Sequence, residues 1–142
     1  MAASPVYGKQ YIRFAETGLA SDAITAPLEQ FSLVKIAAGG TEPPTIETAT
    51  SGGAIFGVLQ QEIPVVDEEK ATTLPRLGTV ATSGLLLVVA DGANLQAQGD
   101  ALLCSNGKSS SAGAAVTCNN TAPTVRQVVT IGNVQHVMVS FS

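Results

Sequence analysis

The chain has 142 residues, a formal net charge of −4, two cysteines, one histidine and no tryptophan. Its seven basic residues are scattered, so it lacks the basic patch of a protein that binds nucleic acid or docks on anionic lipid. No apolar run approaches the roughly 18–20 residues of a membrane span, and the first seven residues show no secretory-signal pattern, so we expect a cytosolic product.

The composition predicts an all-β protein. Fourteen glycines and seven prolines separate short apolar runs, and no long segment has the 3.6-residue period of a helix. The length suits one domain with a modest core built from Val, Leu and Ile. Residues 1–30 differ in character from the rest, so we divide the chain into an N-terminal arm with a loop (1–30) and a β-rich body (31–142).

The first segment holds three of the six aromatic residues, Tyr7, Tyr11 and Phe14, within nine positions. An aromatic-bearing segment ahead of the main body is typical of an arm that packs on a partner. The alternative is an ordinary first strand, and the residues alone do not choose between the two.

Strands and turns then alternate along the body. Gly57, inside a predicted strand, indicates a bulge or a close approach of two backbones. The serine-rich residues 109–113 are expected to form a flexible tip. The acidic run at residues 67–69 is expected to be a solvated loop, with a divalent-ion site as the alternative. The predicted strands are 31–36, 54–60, 85–90, 101–104, 124–131 and 134–141, with turns at 91–92, 98–100, 106–107 and 132–133.

The residues offer no catalytic, cofactor-binding or metal-binding constellation. The single histidine, His136, is expected on the surface of a terminal strand, and no nucleophile elbow or phosphate-binding loop accompanies it. Cys104 and Cys118 could face each other across a long hairpin. They are either two reduced core residues or a disulfide that forms after release into an oxidising medium. We therefore expect no enzyme activity and no cofactor.

The segment from Val88 to Lys108 carries a recognisable order of features. An apolar strand is followed by Asp91-Gly92, Gly99-Asp100, an apolar pair and Asn106-Gly107. With its flanks, residues 31–142, it resembles the capsid decoration (head-stabilising) proteins of tailed bacteriophages. The resemblance implies a small β-barrel or β-tulip-like body with an extended N-terminal arm.

The resemblance also implies a function. Such proteins bind the outside of the assembled capsid in the host cytoplasm, commonly as homotrimers at three-fold positions, and stabilise the head by clamping neighbouring major capsid subunits. Their arms often add a strand or an apolar hook to the major capsid protein. Neither nucleic acid nor membrane is implied as a partner. The residues that we assign to a capsid-binding arm are Pro5, Val6, Tyr7, Tyr11, Ile12 and Phe14.

Other functions stay open at this point. A phage tail or fibre module would share the same composition. A barrel-sandwich carrier or binding module would present a lysine at a hairpin tip, and Lys108 follows Asn106-Gly107, but no Met-Lys pair is present.

Overall fold

The computed structural model describes residues 10–20, 27–38, 42–64 and 76–142. These residues contain strands and no helix, which confirms the predicted all-β class. The strands are β1 Tyr11–Ala20, β2 Leu33–Ala38, β3 Thr45–Thr48, β4 Gly53–Ala54, β5 Gly57–Leu59, β6 Leu77–Val89, β7 Leu103–Ser105, β8 Lys108–Ser109, β9 Ala114–Thr117, β10 Thr124–Ile131 and β11 Val134–Phe141.

The strands form two sheets. The larger has the order β1-β3-β2-β5-β6-β11-β10, and β1 also pairs with β6. This extra pairing closes a ring of five strands (β1, β3, β2, β5 and β6), from which β11 and β10 continue along the edge of β6. The smaller sheet has the order β4-β9-β7-β8.

Two larger apolar cores hold these sheets together, and a small third cluster of Leu87, Val129 and Met138 lies on β6, β10 and β11. One fills the ring, where Val34, Ile46, Leu59 and Val80 are fully buried. The other lies where β6 and β11 meet the smaller sheet, and both cysteines belong to it. The hairpin tip at Gly107 joins the two parts of the molecule, because its N–H donates to Ala49 O and its carbonyl accepts from the N–H of Leu33.

The hairpin predictions at the C-terminal end are confirmed. β10 and β11 have the predicted bounds, and Gly132 and Asn133 between them both have positive φ. Asn106 and Gly107 also both have positive φ, as a type I′ turn requires. The close approach predicted at Gly57 is present, because a Cβ added there would lie 2.2 Å from the carbonyl oxygen of Ala81.

Several local predictions differ from the structure. The strand predicted at 54–60 is interrupted at Ile55 and Phe56. The N–H of Ile55 donates to the carbonyl of Thr117, and the N–H of Phe56 donates to the carbonyl of Val34. The predicted strand 85–90 is the second half of the longer β6. β1, which belongs to the predicted arm segment 1–30, pairs with β6 of the predicted body from Tyr11 to Leu19.

Burial corrects two further predictions, and strand register corrects a third. His136 is 7% exposed, not on the surface, and its ring packs edge-on against Phe31 at a centroid distance of 5.8 Å. Ser109 and Ser110 are fully buried and hydrogen-bonded, so this part of the serine-rich segment is not a free tip. The two cysteines do not face each other. Cys104 lies opposite Ala114, four residues before Cys118.

Candidate docking edge on strand β1

Two β-bulges face each other where β1 pairs with β6. Ile12 lies opposite Gly84 and Phe14 opposite Ser83, so Arg13 is an extra residue on β1. Ala15 then lies opposite Ala81, so Thr82 is an extra residue on β6. The two insertions cancel, and the register is the same on both sides. Bulges re-aim side chains and are frequent near functional sites.

The bulge on β6 is held by the turn after β9. Asn119 and Asn120 both have positive φ and connect the bridged residues Cys118 and Thr121. Asn119 Nδ2 donates to the carbonyl oxygen of Thr82 at 2.9 Å and to that of Ser142 at 3.2 Å. The Thr82 carbonyl, which the bulge removes from the β1–β6 ladder, therefore has a hydrogen-bond donor. The same bond fixes the turn at Asn119 beside β1.

The outer edge of β1 is open over most of its length within the described residues. The carbonyl of Thr79 accepts from the N–H of Gln60, on the side away from β1. Thr17 is the cross-strand partner of Thr79. Because the polar groups of Thr79 point away from β1, the N–H and C=O of Thr17 point away from β6, and those of Ala15, two residues earlier, do so as well. The parallel strand β3 covers only Leu19 and Ala20.

The covered part of the edge ends for a chemical reason. Leu19 N–H donates to the carbonyl of Pro44 at 2.9 Å. Pro43 and Pro44 precede β3 and have no N–H, so they cannot continue a ladder along β1.

Large apolar side chains stand exposed on the same strand. Tyr11 is 68% exposed, Phe14 65% and Ile12 43%. These are three of the six predicted arm residues, and the structure places them together on a strand of the main sheet. The other three, Pro5, Val6 and Tyr7, and the acidic run 67–69 lie outside the described residues.

A groove runs beside this edge. One cavity of about 580 Å³ lies at the paired bulges, and a second of about 340 Å³ lies between β1 and the start of β5. Three residues line both cavities: Glu16, Thr82 and Asn119. The second cavity is also lined by Ile36 and the half-buried Phe56. We call this second cavity the ring mouth.

The charged residues of the groove differ in their partners. Lys35 pairs with Glu47 at 3.6 Å, whereas Glu16 has no hydrogen bond or ion pair to any described residue. Within the described residues, no group of three His, Cys, Asp or Glu side chains could bind a metal ion. His136 does not line either cavity, and its Nδ1 lies 3.0 Å from the carbonyl oxygen of Val134.

The two cysteines belong to the apolar core where β6 and β11 meet the smaller sheet. Both are buried free thiols. Burial raises the pKa of Cys104, and it raises the pKa of Cys118 to about 11. The S–H groups donate to backbone carbonyls, of Ala49 for Cys104 and of Phe56 for Cys118. They are core residues in this structure.

Sequence reasoning missed the residues that shape the groove: Glu16, Thr82 and Asn119. Two signals were available. Thr82 and Ser83 interrupt an apolar strand ahead of Gly84, as bulge residues do, and Asn119-Asn120 is a pair that tolerates positive φ. Neither signal indicates that Thr82 and Asn119 lie next to each other in the fold.

Comparisons with protein families, curated proteins and solved structures found no match for this chain. The described residues include no helix that is long and apolar enough to cross a membrane.

Proposed function

We propose that this protein is a structural virion component that binds the outside of an assembled phage capsid through β1 and stabilises the head. The observation that carries the proposal is the combination on β1 of exposed aromatic side chains with an open hydrogen-bonding edge. The resemblance of residues 31–142 to capsid decoration proteins supplies the identity of the partner, the major capsid protein.

The physical basis is strand addition. Outward N–H and C=O groups at Ala15 and Thr17 can pair with an extended segment of the capsid subunit. Tyr11 and Phe14 can cover apolar surface on that subunit, and large aromatic residues supply much of the energy of protein interfaces. An exposed edge with bulky apolar groups is a liability in a free monomer, which favours an interface at this position.

The docking residues are held in place before binding. The side chain of Gln10 accepts a hydrogen bond from Leu87 N–H at 2.9 Å and donates to Gln60 Oε1 at 2.8 Å. These bonds fix the start of β1 next to Tyr11. A preorganised strand loses less conformational entropy on binding than a free arm does. Assembly as a homotrimer, which the resemblance implies, would add multivalent contacts.

Co-sedimentation with purified phage heads tests the proposal. We expect the protein to bind expanded heads and to lose at least about thirtyfold in affinity when Tyr11 and Phe14 are both changed to Ala, since the loss of even one aromatic hot spot costs about 2 kcal/mol or more. Cryo-electron microscopy of the pellet should show density at the three-fold positions.

The matched control is Leu95→Ala, which removes an apolar side chain that is 42% exposed in the loop between β6 and β7. This variant should bind as the wild type does. Equal binding of the Tyr11/Phe14 double variant, with its thermal unfolding unchanged, rejects β1 as the docking strand. No binding of the wild type to expanded or unexpanded heads rejects capsid decoration and favours a tail or fibre module.

A further inference from the structure

The ring mouth contains one carboxylate that no described residue neutralises. Glu16 lies two residues before Gly18 on the same face of β1, and Gly18 approaches the core side chain of Ile46. The Cβ of Glu16 therefore lies on the inner side of the ring, two residues closer to the ring mouth than Gly18. Both cavities of the groove include Glu16 in their lining.

Each cavity of the groove also has one basic residue in its lining. Arg13 lines only the cavity at the paired bulges. Lys35 lines only the ring mouth, and its ammonium group is 3.6 Å from the carboxylate of Glu47. Besides Glu16, the two residues that line both cavities are Thr82 and Asn119, whose side chains are uncharged. Because Lys35 is paired with Glu47, the carboxylate of Glu16 is left to accept the charge of an added cation.

The walls suit a long basic side chain in particular. Ile36, which is 47% exposed, and Phe56 line the ring mouth beside Glu16. The aliphatic part of an arginine or lysine can lie on such apolar groups while its charged end reaches a carboxylate. A guanidinium group can also stack on an aromatic ring.

The open edge determines which partner residue would arrive there. A strand added outside β1 places one residue directly opposite Glu16, on the same face of the sheet and about 5 Å away between Cβ atoms. Opposite charges in such cross-strand positions stabilise the pair. Thr17 and Ala15, whose polar groups point outward, would hold the backbone of the added strand on both sides of this position.

We propose that the ring mouth binds an arginine or lysine side chain of the extended partner segment that pairs with β1, with Glu16 as the acceptor of its charge. This inference rests on the proposed docking function of β1 and adds the chemistry of the partner, a strand with a basic residue opposite Glu16.

Two matched peptides test the inference without phage heads. Both are blocked pentapeptides of alternating Thr and Val, one with a central arginine and the other with a central citrulline, which keeps the shape and removes the charge. Backbone amide shifts of ¹⁵N-labelled protein are followed at Ala15, Glu16 and Thr17 up to millimolar peptide. We expect the arginine peptide to bind at least about threefold more tightly.

The variant Glu16→Gln should abolish this preference and leave the citrulline peptide's affinity unchanged. Glu62→Gln, a charge change at an exposed site outside both cavities, should preserve it. Equal affinities of the two peptides for the wild type, a preference that persists in Glu16→Gln, or no shifts at β1 with either peptide would each overturn the inference. Failure to bind heads, with the arginine preference intact, would reject only the capsid partner.

Discussion

Gly18 and Gly78 lie directly opposite each other on β1 and β6 inside the ring, and each leaves room for an isoleucine. A Cβ on Gly18 would lie 2.8 Å from Cδ1 of Ile46, and one on Gly78 would lie 2.8 Å from Cδ1 of Ile63. The ring is narrow enough that its core side chains occupy the space that side chains on these two residues would need.

This pair predicts that Gly18→Ala and Gly78→Ala each lower the free energy of unfolding by about 1–3 kcal/mol through overpacking. Urea denaturation measures the loss. Gly92→Ala, at an exposed turn where an added Cβ meets nothing within 4 Å, should change stability by less than about 0.5 kcal/mol. Adding Ile46→Val to Gly18→Ala should cost less than the two single changes together; strict additivity would contradict the contact.

A second prediction concerns the buried amide of Gln96, which is 2% exposed. Its Nε2 donates to Ala101 O at 2.8 Å, and its Oε1 accepts from Leu103 N–H at 2.8 Å and from Ser109 Oγ at 2.9 Å. Gln96→Ala leaves these buried groups without their partner and should cost about 2–4 kcal/mol.

The exposed neighbour Gln98 provides the control for Gln96. Gln98→Ala should leave the unfolding midpoint within error of the wild type, because the side chain is exposed. If the two variants unfold at the same urea concentration, the Gln96 network contributes nothing to stability.

A third prediction concerns acid stability and Asp91. Hydrogen bonds from Asn94 Nδ2, from the N–H of Ala93 and from Ser110 Oγ hold the pKa of Asp91 below its ordinary value of 3.8. A carboxyl whose pKa is lowered by folding stabilises the native state above its unfolded pKa, and the contribution disappears as the pH falls through the folded pKa. Stability should therefore decline from about pH 4 downwards.

Two variants isolate the contribution of Asp91. Asp91→Asn removes the titrating group, so urea midpoints measured between pH 5 and pH 2 should fall less steeply than in the wild type. Asn94→Ala removes the largest cause of the lowered pKa and should give an intermediate slope. Identical slopes in all three proteins would show that Asp91 does not contribute to the acid transition.

The fourth prediction concerns the thiols. Because burial raises the pKa of both cysteines, to about 11 for Cys118, few thiolates are present at pH 8 in the native protein. A thiol-specific disulfide reagent should label neither cysteine rapidly under native conditions and both in urea without reductant. Ser111→Cys, at an exposed position, should add one fast-reacting thiol. Absence of reactive thiols in urea would indicate a disulfide.

Much of the strand framework follows from sequence alone, because it depends on local chemistry. The apolar runs of β6, β10 and β11 predict strands, and Asn106-Gly107 and Gly132-Asn133 predict tight turns, since glycine and asparagine tolerate the positive φ that such turns need. The aromatic residues Tyr11 and Phe14 fit either an arm that packs on a partner or an ordinary first strand, and residue type alone does not choose between the two.

Only the tertiary structure decided how these elements meet. Closure of the ring by β1 and β6 depends on pairing between residues 58 to 74 positions apart, from Leu19–Leu77 to Tyr11–Leu85, which no local pattern encodes. The same closure makes the predicted arm a strand with one open edge. Burial of His136 and Ser109, and the meeting of Glu16 with Thr82 and Asn119, depend on which surfaces pack together, and side-chain type alone does not specify that.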